Sequence, residues 1–455
     1  MHVKAALLCG GLFAAGPIFA QAPGTPPPTT EKTRSETAVP IKVGPVPVVT
    51  KWSTTFYGFI EAQFISDSTE SFNETAGNTN IARPGTYAGT HQRLTISVRN
   101  SRLGFRINAP DFHRIRSSAL VEVDFLGNQP PNATEGQVFT NPALRLRHGF
   151  LKVETDYVDV LIGQTWQLFG NQPYFDPAVV QLQGLPGQVY GRAPQLRLSH
   201  TFGGDPIAVE AAIAASKPPQ RDAHAPDGQG ALRLMLNSWK GVRTAGGTGT
   251  SVDPLMIAAS GVVRRLAVPE FNAAQLNDVT ATGSGFTVDV LLPIIRGTLQ
   301  DRGNALTLNG SFANGTGYAD LFTSLTGGIA FPANVPGGGA YNPNIDNGIV
   351  VYTADGVLHT VDWRGWIAGA QYYLPPDGKI WVSANFSQMY SGNAASLGQP
   401  ATRVFNHSWF ADGNIFYEPI TPLRFGFEYA YFHQTYLDGM TTTNNRFQLS
   451  TWFIF

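Results

Sequence analysis

The stretch RFQLSTWFIF, residues 446–455, decides the fold because it alternates as a β-strand does. One face carries mostly apolar side chains: Phe447, Leu449, Thr451, Phe453 and Phe455. The other face begins with the polar residues Arg446, Gln448 and Ser450. An aromatic strand that ends in Phe resembles the closing strand by which bacterial outer-membrane barrels are recognised for insertion. The stretch therefore predicts a barrel strand, and the alternative is the last strand of a soluble β-sandwich.

The amino-terminal residues predict export. Lys4 precedes an apolar run over residues 5–15, which is too short to cross a bilayer as a helix, and Ala20 precedes Gln21. We expect a signal peptide over residues 1–20, cleaved after Ala20. The only cysteine, Cys9, lies in this run, so the mature chain would have no disulfide, no cysteine nucleophile and no cysteine metal ligand.

Composition narrows the class of protein further. Residues 21–51 are Pro-rich and lack a periodic face, which predicts an extended periplasmic linker before a barrel over residues 52–455. The chain contains 49 Gly and 29 Phe and is only 14% charged, which suits a wall that is apolar outside and polar inside. A formal net charge of −1 argues against a nucleic-acid partner, whose first signature is a basic excess.

About sixteen segments alternate or carry the turn residues that bound strands. They cover 54–66, 93–109, 117–126, 144–155, 157–167, 192–203, 206–216, 230–238, 254–265, 283–294, 304–313, 362–374, 379–390, 402–417, 422–436 and 444–455. The alternation slips by one residue near Asn100. We predict an all-β fold: a transmembrane antiparallel β-barrel of about 16 strands in the outer membrane, in contact with lipid and lipopolysaccharide.

The connections alternate in length. Most even-numbered ones are tight, as at 155–157, 203–205, 375–378 and 418–421. Most odd-numbered ones are long, namely 67–92, 127–143, 168–191, 266–282 and 314–361. Short periplasmic turns and long external loops are typical of outer-membrane barrels. The connections at 239–253 and 295–303 fit this rule less well. Sixteen strands would enclose an aqueous lumen, so a channel is expected unless the lumen is plugged.

Five segments resemble the DcaP-like family of trimeric outer-membrane porins: 56–62, 100–106, 144–150, 161–166 and 191–197. They cover about the first 150 residues of the barrel, and Gly163-Gln164-Thr165-Trp166 is the most specific piece. The resemblance implies a homotrimer with a basic pore that favours small anionic solutes such as dicarboxylates. Family members commonly begin with a helical coiled coil, whereas residues 21–51 are Pro-rich here.

Arginines fall on the inward faces of several predicted strands. The predicted pore-lining set is Arg102, Arg106, Arg145, Arg147, Arg197 and Arg424, with the carboxylates Glu122 and Asp124 among them. The chain has 31 basic residues, of which only 8 are Lys. A guanidinium binds a carboxylate bidentately and stays charged in a confined pore. Two alternatives stay open: a net basic constriction, or a balanced lumen in which inward carboxylates pair with the arginines.

The third long loop, 168–191, lies where general porins fold a loop into the pore. The predicted constriction residues are Phe169, Asn171, Tyr174, Phe175 and Asp176. Aromatic residues and two prolines suit a rigid, packed loop. We expect Asp176 either to face the arginines or to cap the loop.

Other activities find little support in the sequence. No His-Glu-x-x-His motif or Asp-rich calcium loop occurs, so we expect neither a metal nor another cofactor. His407 and His200 each adjoin a serine, and adjacent strand residues point to opposite faces, so neither pair can act as a nucleophile and base. We predict a diffusion porin and no enzyme. The alternatives are a surface adhesin, a plugged transporter, and a general porin without anion selectivity.

Overall fold

The computed structural model describes residues 52–455 apart from 78, 128–141, 220–222, 323–324, 326–330, 344, 347, 354 and 398–404. The predicted signal peptide (1–20) and Pro-rich linker (21–51) lie outside the described residues, as does most of the loop expected at 127–143. Within the described part, no helix is long and apolar enough to cross a membrane.

The described chain forms one closed antiparallel barrel, and all sixteen predicted strands are present. In ring order they are β1 (Ser53–Asp67), β2 with β3 (Arg93–Ser97 and Arg102–Asn108), β4 (Arg116–Asp124), β5 (Arg145–Glu154), β6 (Asp159–Trp166), β7 (Arg192–Gly203), β8 (Ile207–Ser216), β9 (Asp227–Thr244), β10 (Thr250–Pro269), β11 (Asp278–Ile295), β12 (Leu306–Thr316), β15 (Asp362–Tyr373), β16 (Ile380–Tyr390), β17 (Phe405–Ile420), β18 (Leu423–Tyr436) and β19 (Thr441–Ile454). A separate hairpin, β13 (Val350–Tyr352) with β14 (Leu358–Thr360), lies in the loop after β12.

Segments β2 and β3 are two halves of one wall strand, because both pair with β1. Between the pairs Phe59↔Arg102 and Gln63↔Ser97, β1 advances four residues and its partner five. One extra residue is a β-bulge, and it reverses which residues face inward. This bulge is the physical reason for the slip in alternation near Asn100.

The last strand closes the barrel against the first. β19 pairs with β1 in an antiparallel register that runs from Phe59↔Ile454 to Asp67↔Arg446. At one end of this seam the Arg446 guanidinium donates to both oxygens of Asp67, each at 2.9 Å. Because every strand of the wall has two neighbours, the described wall has no open edge, as a membrane barrel requires.

Side chains of the wall divide by face as the sequence predicts. On β19, Phe447, Leu449 and Phe453 are exposed on the outer surface, whereas Arg446, Gln448 and Ser450 are fully buried inside the barrel. The same division continues around the ring, so the outer surface is an apolar band and the interior is polar. The inward face of the wall is therefore polar, as expected for a barrel whose outer face contacts lipid.

The connections define two ends, which we call the turn end and the loop end. The turn end, which also carries the start of β1, has connections at 109–115, 155–158, 204–206, 245–249, 296–305, 374–379 and 421–422. The loop end has the connections 68–92, 125–144, 167–191, 217–226, 270–277, 317–361, 391–404 and 437–440. The loop expected at 266–282 is shorter than predicted, because β10 runs on to Pro269 and β11 begins at Asp278.

Two loops pack against the inner face of the wall at the loop end. Loop 317–361 supplies most of a large buried cluster around Tyr318, Phe322 and Val350. Loop 68–92 contributes Phe72 and Ile81 to a second cluster against β17 and β18. Their helical pieces are short: the four-residue helix α1 (Tyr87–Thr90) and the 3-10 turn Ala319–Leu321, with further 3-10 turns at Gln172–Tyr174 and Ala394–Ser396. The apolar core therefore lies inside the barrel.

Candidate functional site

The connection 167–191, which we call the inward loop, crosses the barrel interior and is bonded to its far wall. Glu428 on β18 accepts hydrogen bonds from the backbone N–H groups of Val180 (2.8 Å) and Gln181 (2.7 Å). The same carboxylate accepts from the Gln181 side chain at 2.7 Å. Three hydrogen bonds to one buried carboxyl group make Glu428 a strong anchor for the loop.

Other polar residues of the wall hold the rest of the inward loop. Gln229 on β9 accepts from the N–H of Leu168 at 2.9 Å, and Ser260 on β10 accepts from the N–H of Gly170 at 2.8 Å. Ser383 on β16 donates to the carbonyl of Ala178 at 2.5 Å. Backbone N–H and C=O groups that are buried need hydrogen-bond partners, and polar side chains on the inner face of the wall provide those partners here.

The five residues predicted to form the constriction have different surroundings in the structure. Phe169 and Phe175 are buried in apolar clusters, and Asn171 donates to Asp289 at 3.3 Å. The Tyr174 ring lies under the Arg233 guanidinium, 3.5 Å from its centroid. Asp176 accepts from the Gln172 side chain and borders a cavity inside the barrel.

Three of the predicted arginines meet on neighbouring strands, and each is paired. Arg147 donates to Glu122 at 2.7 Å and to Asp124 at 3.0 Å. Arg145 binds Asp124 through two hydrogen bonds of 2.7 and 3.0 Å, and Arg102 lies 3.4 Å from Glu122. The register brings them together, because β4 pairs with β3 on one side and with β5 on the other.

A fourth guanidinium, Arg192, joins this group and was missed by the sequence analysis. It lies 4.8 Å from the centroid of the Trp166 ring, and Arg147 lies 5.9 Å from the same ring. Arg192 is the first residue of β7 and pairs with Trp166, the last residue of β6. At a strand end, alternation no longer shows which face a residue is on. Only a Trp–Arg pairing across the strand ends could have indicated the position of Arg192.

We call Arg102, Arg145, Arg147, Arg192, Glu122 and Asp124 the arginine cluster. Four guanidinium groups meet two carboxylates, which leaves a formal excess of two positive charges. Nη1 of Arg192 is buried and has no hydrogen-bond acceptor among the described residues, whereas Nε of Arg102 faces the Glu122 carboxylate at 3.4 Å without forming a hydrogen bond. The hydrogen-bonding capacity of these two guanidinium groups is therefore not fully used within the described protein.

The remaining predicted arginines lie apart from the cluster. Arg106 is exposed towards the turn end and makes no ion pair with a described residue. Arg197 donates to Gln195 and to the carbonyl of Trp166. Arg424 is inward but covered: it is paired with Glu418 at 2.7 Å and donates to the carbonyl of Thr248 at 2.7 Å.

A second inward element comes from the opposite end. Residues 240–254, which we call the inward hairpin, comprise the end of β9, the turn 245–249 and the start of β10. The residue pattern predicts a connection at 239–253, whereas in the structure the two strands continue as a ladder to Thr244↔Thr250. The hairpin folds inside the barrel, where Val242 and Thr244 are fully buried.

Between these elements lies a cavity of about 340 Å³. Its lining comes from the arginine cluster (Arg102, Glu122, Arg147), the inward loop (Asp176, Gln181, Gln183) and the inward hairpin (Arg243, Thr248, Gly249). Burial raises the pKa of the Asp176 carboxyl to about 7, although the charges of Arg243, Arg102 and Arg147 oppose that shift. The described residues contain no group of three or more His, Cys, Asp or Glu that could hold a metal ion.

Comparison with known proteins supports the fold. No protein-family model matches the sequence, and no curated protein matches it. Among solved structures, the outer membrane channel DcaP of Acinetobacter baumannii superimposes with a TM-score of 0.63 at 18% identity, covering 89% of this chain and 97% of that one.

Two further structures superimpose with a TM-score of 0.50 each. The anion-selective porin from Comamonas acidovorans is 9% identical over 89% of this chain and all (100%) of its own. Salmonella typhi OmpF, in complex with daunomycin, is 11% identical over 88% of this chain and 97% of its own. The resemblance to DcaP-like porins is thus confirmed for the fold, which is that of a multi-pass outer-membrane β-barrel.

Proposed function

We propose that this chain is an outer-membrane porin: a passive diffusion channel for small hydrophilic solutes that favours anionic ones such as dicarboxylates. The arginine cluster is the observation that carries the proposal, because Arg102, Glu122 and Arg147 line the lumen cavity and the cluster as a whole has a formal excess of two positive charges. The proposal includes no catalytic step and no cofactor.

Two guanidinium groups of the cluster have an N–H that is not hydrogen-bonded, which supports anion binding there. Nη1 of Arg192 lacks an acceptor among the described residues, and Nε of Arg102 faces the Glu122 carboxylate at 3.4 Å without forming a hydrogen bond. The neighbouring carboxylates Glu122 and Asp124 keep the excess charge small. A moderate excess suits transport, because a transiting ion must leave as readily as it enters.

We propose that the inward loop forms one wall of the narrowest part of the pore. Its Asp176 shares the cavity with Arg102 and Arg147, so opposite charges would face each other across the path. Such a transverse field orients a solute that carries both charge and dipole. The anchors to Glu428, Ser383 and Gln229 would keep the loop from swinging out.

One observation favours a second candidate, a general porin of balanced charge without anion selectivity. Arg102, Arg145 and Arg147 all contact a carboxylate, and ion pairs of this kind also stabilise a polar barrel wall. The two candidates differ in whether the excess charge of the cluster reaches the solute path.

We also propose that three copies associate through β1, β2, β3, β4 and β19. These strands expose large apolar side chains outward, including Phe56, Ile60, Leu94 and Phe105. A homotrimer would bury part of this band against neighbouring copies, and lipid would cover the rest.

Planar-bilayer electrophysiology tests the proposal. The purified barrel should give stable single-channel steps, and its reversal potential in a potassium chloride gradient should have the sign of chloride preference. A reversal potential near zero would favour the balanced-charge candidate. Absence of any conductance from correctly folded protein would contradict the porin proposal itself.

A further inference from the structure

The inward hairpin turns into the lumen at an irregularity in the β9–β10 ladder. Leu236 pairs with Leu255 and Lys240 with Pro254, so β9 gains three extra residues, 237–239, where β10 gains none. Such an insertion bends the bulged strand. Pro254 has no N–H to lose at this break, and the Trp239 indole N–H is bonded to the carbonyl of Pro293 at 2.6 Å. Pro254 and the hydrogen bond from Trp239 to Pro293 are therefore compatible with the bend and stabilise it.

From the bend the hairpin passes along one side of the wall. An added Cβ at Gly241 would lie 2.4 Å from the Pro293 side chain, so only glycine allows this close passage over β11. Thr307 on β12 donates to the carbonyl of Val242 at 2.8 Å. On β15, Gln371 donates to the carbonyl of Thr244 at 3.0 Å and accepts from its N–H at 3.1 Å.

The tip of the hairpin reaches the other side of the ring. β9 and β10 are the eighth and ninth wall strands, whereas β18, β19 and β1 lie half-way round. Arg424 on β18 donates to the carbonyls of Gly246 and Thr248 in the tip. A Cβ at Gly247 would lie 2.6 Å from the Trp452 ring on β19 and 3.2 Å from the Phe59 ring on β1. The hairpin therefore spans the barrel near its turn end.

Packing shows that the tip is held in place. Val242 is fully buried with Tyr373 and Trp452 in one apolar cluster, which also includes Val180 of the inward loop. Burying a valine side chain contributes about 1.5–3 kcal/mol. Glu418 binds Arg424 at 2.7 Å and Arg302 at 3.2 Å, which fixes the guanidinium that holds the tip.

We infer that the inward hairpin is a second constriction element, which enters from the turn end and confines solutes to the passage beside the arginine cluster. The inference rests on the proposed porin function and deepens it. The hairpin contacts β12 and β18, the inward loop contacts β9 and β18, and the cavity between them is bordered by Arg102, Glu122 and Arg147 of β3, β4 and β5. Arg243, paired with Asp253 at 2.9 Å, adds a charged side chain to that passage.

The tip itself is suited to border a narrow path. Residues 245–249 read AGGTG, so Thr248 brings the only side chain larger than a methyl group. Gly249 is exposed, borders the cavity and has no atom within 4 Å of an added Cβ. A side chain placed at Gly249 would therefore project into the passage without disturbing the fold.

A cysteine test uses this position and a matched control. In a C9S background, Gly249→Cys and Gly204→Cys each place one thiol on a turn-end connection where an added Cβ has open space. Treatment with a bulky thiol-specific cation should lower single-channel conductance by about half or more at Gly249, because current depends on the narrowest cross-section. It should leave the Gly204→Cys channel unchanged, because turn 204–206 is exposed and does not border the cavity.

A deletion gives a second readout in the opposite direction. Replacing residues 237–254 by Asn-Gly joins Leu236 to Leu255 through a tight two-residue turn at the last regular pair of the wall. Conductance should rise at least about twofold in a barrel that still folds and resists detergent. Unchanged conductance in the deletion, or full modification at Gly249 without effect, would overturn the inference while native conductance still supported the porin proposal. A native barrel that does not conduct would overturn both.

Discussion

Removing two arginines from the cluster should abolish anion preference without damaging the wall. Arg102 and Arg145 are the best choice, because Glu122 and Asp124 both keep their bonds to Arg147. Arg147 itself is unsuitable, since its loss would leave buried carboxylates unpaired at a cost of about 3–5 kcal/mol. The double change R102Q/R145Q reduces the formal excess of the cluster from two positive charges to zero.

The size of the effect follows from the charge excess. One unit charge about 8 Å from an ion in water contributes about 0.5 kcal/mol, so two contribute about 1 kcal/mol. Screening over about 8 Å at physiological salt reduces this to about 0.4 kcal/mol. The cluster attracts an anion and repels a cation by this amount, so their free energies in the passage differ by about 0.8 kcal/mol. This difference corresponds to an anion-to-cation permeability ratio of about four. In R102Q/R145Q the ratio should fall to about one.

Reversal potentials in a potassium chloride gradient measure this ratio directly, and liposome swelling compares dicarboxylate with neutral sugar uptake. The matched control R114Q/K379Q also removes two positive charges, but from exposed turns outside the cavity, and should leave the ratio unchanged. Equal loss for charged and neutral solutes would mean that the substitutions narrowed the pore. An unchanged ratio in R102Q/R145Q would refute the reasoning, because the excess charge would then not act on the solute path.

Three further predictions concern the loop, pH and assembly. Deleting residues 171–181 together with E428Q, which avoids an unpaired buried carboxylate, should enlarge single-channel conductance; an unchanged value in folded protein would place the loop outside the pore. Because the pKa of Asp176 is raised to about 7, its negative charge is lost as pH falls below 7, so anion preference should rise from pH 8 to pH 5. D176N should show the high preference throughout, and an identical pH dependence in D176N would assign the effect to another group. Native mass spectrometry in gentle detergent should give a trimer, and monomer alone would contradict the proposed contact through β1–β4 and β19.

Strand positions were predictable because each depends on local alternation. A wall strand of a membrane barrel has lipid on one side and a polar interior on the other, so every second residue records its face. Even the bulge near Asn100 can be detected in the sequence, because one extra residue reverses the alternation of polar and apolar residues. The upper limit of β10 was less accurate, because its inward residues Leu266 and Val268 are apolar and pack in a buried cluster, so the alternation of polar and apolar residues is lost there.

The candidate site was predictable only in part. The inward arginines and the loop 168–191 followed from alternation and from position along the chain. Which carboxylate pairs with which arginine depends on strand register, and the place of Arg192 over Trp166 depends on two strand ends meeting. The inward hairpin showed in the sequence only as a connection that did not fit, because the direction of a bend is not encoded in periodicity.

The sequence by itself therefore determined the class of fold, the number of strands and which residues face lipid, since these follow from the hydrophobic effect acting on each strand separately. Only the tertiary structure decided what fills the lumen. The course of the inward loop depends on Glu428, which is 247 residues from Gln181, and the hairpin tip depends on Arg424, 176 residues from Thr248. Contacts between polar groups so far apart in the chain have no local signature, and they define the passage that solutes would take.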